Sequence, residues 1–139
     1  MIDDKGIMTE AARPISVLIV DDHPTAREGL MSFLSAFDDF ELTGVATTGT
    51  EALELCEADC PDVVLVDVQM PHMDGIAATR AIHRRHPSVY IIALANFPDE
   101  ATVRAMLAAG ASTYLSKDIS AQQLADAIRA AGLPEEGLS

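Results

Sequence analysis

The chain has 139 residues, a length that suits one compact domain and is short for two. Its formal charge of −13 disfavours phosphate backbones and anionic membrane surfaces as partners, and 49% apolar but 4% aromatic content calls for an aliphatic core. No apolar run exceeds the seven residues from Val89 to Ala95, far below the roughly 20 that cross a bilayer.

Residues 1–14, MIDDKGIMTEAARP, place acids where a secretory signal has bases and lack periodicity, so they read as a flexible leader on a cytoplasmic protein. A first strand is expected over Ile15 to Val20. A helix from Pro24 to Phe37 follows, with Pro in its opening turn and Ala26, Leu30, Phe33, Leu34 and Phe37 on one face. The second strand spans Phe40 to Ala46, and the second helix runs from about Thr50 to Ala58, with Pro61 closing the connection. Cys56 and Cys60 lack a second pair of ligands at metal-site spacing and read as two reduced, partly buried thiols.

The third strand is expected over Asp62 to Val66. The third helix starts at Gly75 and stops before Pro87, and the fourth strand runs from Val89 to Ala95. A fourth helix from Pro98 to Ala109 ends in a Gly110 cap. Ser112 to Leu115 forms the fifth strand. The last helix opens with the capping box Ser120-Ala121-Gln122-Gln123 and carries Leu124, Ala127, Ile128 and Ala131 at helical spacing. Residues 132–139, GLPEEGLS, resemble a tail or the start of a linker.

Near-continuous apolar strands alternating with helices predict an α/β domain with a parallel sheet covered on both faces. Such sheets gather ligands beyond the carboxyl ends of their strands. Asp21 and Asp22 follow the first strand and Asp67 follows the third. A lone Asp after a strand usually begins a turn or caps a helix. If the first and third strands are neighbours, however, three carboxylates meet, and each pair about 4 Å apart repels by about 4 kcal/mol at an effective dielectric near 20. A hard divalent cation is the natural counter-charge. Lys117, an ordinary surface lysine by itself, stands at the same edge after the fifth strand.

Taken together, VLIVDDHP, VVLVDVQMPHMDG and AGASTYLSKD resemble the receiver domain of two-component response regulators, and look most like its NarL/LuxR-type subfamily. The resemblance covers residues 15–131 and implies a flavodoxin-like (βα)5 three-layer sandwich with strand order 2-1-3-4-5. It further implies a signalling domain, not an enzyme, that takes a phosphoryl group on Asp67 from a sensor histidine kinase. Asp21, Asp22, Asp67 and the backbone carbonyl of Gln69 would hold Mg2+, and Lys117 would contact the phosphoryl oxygens. Self-phosphorylation from small donors and slow autodephosphorylation are the most catalysis it allows. A homodimer and control of transcription through a C-terminal DNA-binding domain absent from these residues are in keeping with the subfamily. This domain itself is expected to bind neither nucleic acid nor membrane. Pro71 and Gly75 shape the loop after Asp67, and His72 reads as solvated there.

One departure stands out. Receivers carry Thr or Ser at the end of strand four, where this chain has Ala95. Asn96 offers an amide but reads more naturally as a turn former. Tyr114 occupies the position of an aromatic that turns inward when the hydroxyl moves, or is a plain buried strand residue. Two rival readings follow: a degenerate receiver working as a protein-interaction module, and a phosphohydrolase of the haloacid dehalogenase type. The second wants an acid two residues after its nucleophile, and Gln69 stands there.

Overall fold

Apolar runs with helix-length spacers can pair in parallel only through crossovers, and the chain takes that solution. A computed structural model describes residues 13–68, 75–96 and 99–132. In chain order these form β1 (Ile15–Val20), α1 (Pro24–Ser35), β2 (Phe40–Ala46), α2 (Gly49–Ala58), β3 (Val63–Asp67), α3 (Gly75–Arg85), β4 (Tyr90–Ala95), α4 (Glu100–Ala109), β5 (Thr113–Ser116) and α5 (Ala121–Ala131). The sheet order is β2-β1-β3-β4-β5 and every pairing is parallel, as expected.

Side chains alternate across this sheet into two cores. Leu18, Val20, Val64, Val66, Ile91 and Ala93 pack with Ala52, Cys56, Ile82 and Met106 of α2, α3 and α4. Val17, Ile19, Val63, Leu65, Ile92 and Leu94 pack on the opposite face with Leu34 of α1 and Leu124 and Ile128 of α5. Both faces are therefore dry, which is why β1 and β3 read as near-continuous apolar runs. Each large aliphatic side chain buried in this way stabilises the fold by about 1.5–3 kcal/mol.

Several boundaries differ from expectation for local reasons. α1 ends at Ser35 rather than Phe37, because the amides of Ala36 and Phe37 turn back to the carbonyls of Phe33 and Leu34. β3 begins one residue late, because Asp62 is diverted: its carboxylate accepts from the Ser16 amide and hydroxyl at 2.9 and 3.1 Å. It also ends one residue late, with Asp67 paired to Leu94. β4 and β5 each start one residue later than the sequence suggested, at Tyr90 and Thr113, and β5 extends to Ser116. Asp99 caps α4 by accepting from the Thr102 amide at 2.6 Å, whereas Pro98, the expected start, lies outside the described residues. Ser120 and Gln123 form the capping box as read. Gly110 has φ 122°, and a Cβ there would come within 2.4 Å of the His83 ring. Of the two thiols only Cys56 is buried, which pushes its pKa up to about 11, while Cys60 is exposed. Among the described residues no helix is long and apolar enough to cross a membrane.

The turn out of α1 is fastened to α5. Phe37 packs on Phe33 and Phe40 at centroid distances of 5.2 and 5.3 Å, and the Arg129 guanidinium lies 5.2 Å from the Phe37 ring. Arg129 Nε also donates to Asp39 Oδ2 at 2.7 Å, and that bond chiefly holds the Asp39 carboxyl below its ordinary 3.8. A lowered folded-state pKa stabilises above the unfolded value and is lost as pH falls through the folded one. Arg129→Ala is accordingly expected to lower Tm at neutral pH and to make the fall in Tm shallower below about pH 4, as scanning calorimetry across pH would show.

Candidate functional site

Parallel strands all finish at one edge, so the order β2-β1-β3-β4-β5 decides which strand-end residues meet. Val20 pairs with Val66, and Asp21 and Asp67 therefore sit at the ends of adjacent strands. Each has 1% of its side chain exposed. Ala95 pairs with Ser116, and the Lys117 amide donates to the Ala95 carbonyl at 2.9 Å. That bond directs the lysine back along the edge: Nζ lies 3.0 Å from Asp67 Oδ1 and 3.9 Å from Asp21 Oδ2. Gly75 matters to the same edge, since a Cβ there would fall 2.9 Å from the Asp67 carbonyl oxygen. The bare backbone lets α3 start against the main chain of Asp67 and Val68.

The structure thus unites Asp21, Asp22, Asp67 and Lys117 as the sequence suggested. It adds His23, which entered the sequence reading only as part of the VLIVDDHP motif, with no role at the site. His23 is the N-cap of α1 but makes no side-chain cap bond. Its ring turns inward, with Nδ1 2.9 Å from Asp67 Oδ2, 3.1 Å from Asp21 Oδ1 and 3.5 Å from Asp22 Oδ1. The Asp21 hydrogen bond, with the charges of Asp67 and Asp21, holds the imidazole above its ordinary 6.5 although burial opposes this. The available signal was an imidazole directly beside two strand-end acids, with Pro24 setting the turn.

Three carboxylates with little solvent form a strongly repelling set, and among the described residues Lys117 and His23 bring opposite charge against it. Asp21 Oδ2 is buried and accepts no hydrogen bond among the described residues. An all-oxygen donor set with one such atom fits a hard divalent cation. Gln69, the expected carbonyl ligand, and His72 lie outside the described residues.

At the rim, Ala95 is buried and brings no polar group, while Asn96 is exposed. Tyr114 pairs in register with Ala93. Its hydroxyl is buried without a hydrogen-bond partner among the described residues, and burial, followed by the Asp118 charge, pushes its pKa up.

Removing one member of a buried ion pair leaves the other uncompensated, at a cost of about 3–5 kcal/mol. With Lys117 18% exposed and His23 remaining, Lys117→Met is expected near the low end, about 3 kcal/mol. In the Lys117→Met/Asp67→Asn double variant most of that loss should return. Urea unfolding of the four proteins in this cycle measures the coupling.

The response regulator receiver domain profile matches residues 17–129. The chain is 44% identical over 124 residues to transcriptional regulatory protein LiaR of Bacillus subtilis, covering 89% of this chain and 59% of LiaR. It is 38% identical over 115 residues to DegU of Brevibacillus brevis, covering 83% of this chain and 49% of DegU. The chain therefore spans about half to three fifths of the length of these curated relatives. Among solved structures, the signal receiver domain of the putative response regulator NarL from Mycobacterium tuberculosis superposes with TM-score 0.80 at 32% identity, covering 86% of this chain and 97% of that one. A LuxR-family two-component response regulator from Aurantimonas superposes with TM-score 0.78 at 30% identity, covering 84% of each.

Proposed function

The chain belongs to the response regulator receiver domain family of two-component signal transduction, and from that premise we propose that Asp67 is its phosphoryl acceptor, with a sensor histidine kinase as donor. The observation that carries the proposal is Lys117 Nζ at 3.0 Å from one oxygen of a carboxylate buried beside Asp21. In the transfer, an Asp67 oxygen bonds to phosphorus as the N–P bond of a phosphohistidine breaks, and the electron pair leaves with the imidazole nitrogen. Such a step needs little covalent help and much charge neutralisation.

Lys117 neutralises charge on the incoming group without moving far. His23 holds the other acceptor oxygen, so attack requires one of these two contacts to open. Asp21, Asp22, Asp67 and the Gln69 backbone carbonyl would hold Mg2+, whose contribution is to offset the acids and the phosphoryl oxygens together. The product, an acyl phosphate, adds about one to two negative charges at the sheet edge. Small donors such as acetyl phosphate are expected to label Asp67 as well, with slow hydrolysis afterwards.

The wider setting belongs to the same proposal: a cytoplasmic protein, capable of forming a homodimer, that controls transcription through a DNA-binding domain outside these residues. The transcriptional relatives support it, and the charge of −13 supports a receiver that does not itself touch DNA. Tyr114 would report phosphorylation from the α4 side of the sheet, with the Asn96 amide as the polar group next to Ala95. Ala95 is the one observation that favours a degenerate receiver, and the comparisons lend that reading no support. The phosphohydrolase reading is set aside because the matches are to receivers.

Two outcomes test this. Labelling by acetyl phosphate with Mg2+, read on phosphate-affinity gels, is expected in the native protein and absent in Asp67→Asn; equal labelling would reassign the acceptor. Ala95→Thr is expected to strengthen phosphorylation-linked dimerisation several-fold by analytical ultracentrifugation, and an unchanged constant would show that the hydroxyl is not limiting.

A further inference from the structure

We propose that His23 is an additional ligand of the acidic pocket and gives it a selective affinity for divalent cations that bind imidazole, of the Co2+ and Zn2+ class; this rests on reading the pocket as a cation site. Ligands held about 2.1 Å from an ion stand about 3.0 Å apart along an octahedral edge and about 3.4 Å along a tetrahedral one. His23 Nδ1 lies 2.9, 3.1 and 3.5 Å from oxygens of Asp67, Asp21 and Asp22. The 2.9 and 3.1 Å spacings are those of ligands along an octahedral edge, and the Asp22 oxygen stands slightly wider at 3.5 Å.

Hydrogen bonding alone does not explain the convergence. Nδ1 carries at most one proton, yet three carboxylates face it, so two of the three contacts cannot be good donor bonds. Asp21, with 1% of its side chain exposed, also keeps Oδ2 without a hydrogen bond among the described residues. The ligand atoms of Asp21, Asp22 and His23 all lie within 4.8 Å of one another. The ring is 42% exposed and can be reached from solvent.

The chemistry of the set then separates two classes of ion. Mg2+ takes oxygen and gains nothing from an imidazole, which stands among the carboxylates as a rival counter-charge. Co2+ and Zn2+ accept nitrogen readily and recruit the same ring as a ligand. One side chain would thereby make the pocket answer differently to the two classes.

His23→Phe removes the nitrogen while costing no cap bond, because the side chain makes none. Titration calorimetry of the full, unphosphorylated chain at fixed pH, with Co2+ alone and Mg2+ alone, should show Co2+ binding at least tenfold weaker in the variant with Mg2+ binding undiminished. In the native protein, Co2+ should also produce hyperfine-shifted His23 ring resonances in the proton NMR spectrum, a readout independent of how the variant folds. Unchanged Co2+ affinity, an equal loss for both ions, or His23 resonances left unshifted would overturn the assignment. Loss of Co2+ selectivity with Mg2+ binding retained would leave the phosphoacceptor reading standing. Label retained in Asp67→Asn would remove that reading without affecting the Co2+ result.

Discussion

Mutual repulsion among Asp21, Asp22 and Asp67 is the constraint around which this domain is arranged. Parallel pairing of β1 with β3 forces the carboxylates into one nearly dry corner. Like charges so placed disfavour the folded state by several kcal/mol unless something of opposite sign joins them. Lys117 reaches in from the end of β5, and His23 folds over from the start of α1. The site thus draws on a central strand pair, an outer strand and a helix terminus. It assembles only when β1, β3, β4 and β5 are in order.

The rest of the molecule supplies the stability that such a corner consumes. Two aliphatic cores sandwich the sheet, and the second also secures α1 and α5, the helices flanking the acidic edge on one side. The Phe33, Phe37 and Phe40 cluster, with Arg129 and Asp39, ties the far end of α1 to α5. Stiff packing at one end of α1 leaves the opposite end, with His23, free to be decided by electrostatics. This division suits a domain whose function depends on a charge arriving at Asp67.

Much of this was legible in the chain because it rests on local chemistry. Near-continuous apolar runs marked β1, β3 and β4, and Ser120 with Gln123 announced a helix start that the structure keeps. Positions where local rules misled are those where a distant partner intervened. Asp62 left β3 because Ser16, across the sheet, accepts and donates to it. Phe37 left α1 for an aromatic cluster completed by Phe40 and Arg129. His23 escaped notice because nothing local requires an N-cap imidazole to turn inward.

By itself, the sequence determined the elements, their alternation, the parallel sheet and the identity of the acids and lysine at strand ends, since periodicity and residue type are properties of short stretches. Tertiary structure alone decided that Asp21 and Asp67 leave adjacent strands, that Lys117 contacts Asp67 rather than solvent, and that His23 Nδ1 faces three carboxylates. Those outcomes depend on strand order and register, which bring together residues as far apart in the chain as Asp21 and Lys117. Coulomb interactions over 3–4 Å then act between groups that no local pattern could have paired.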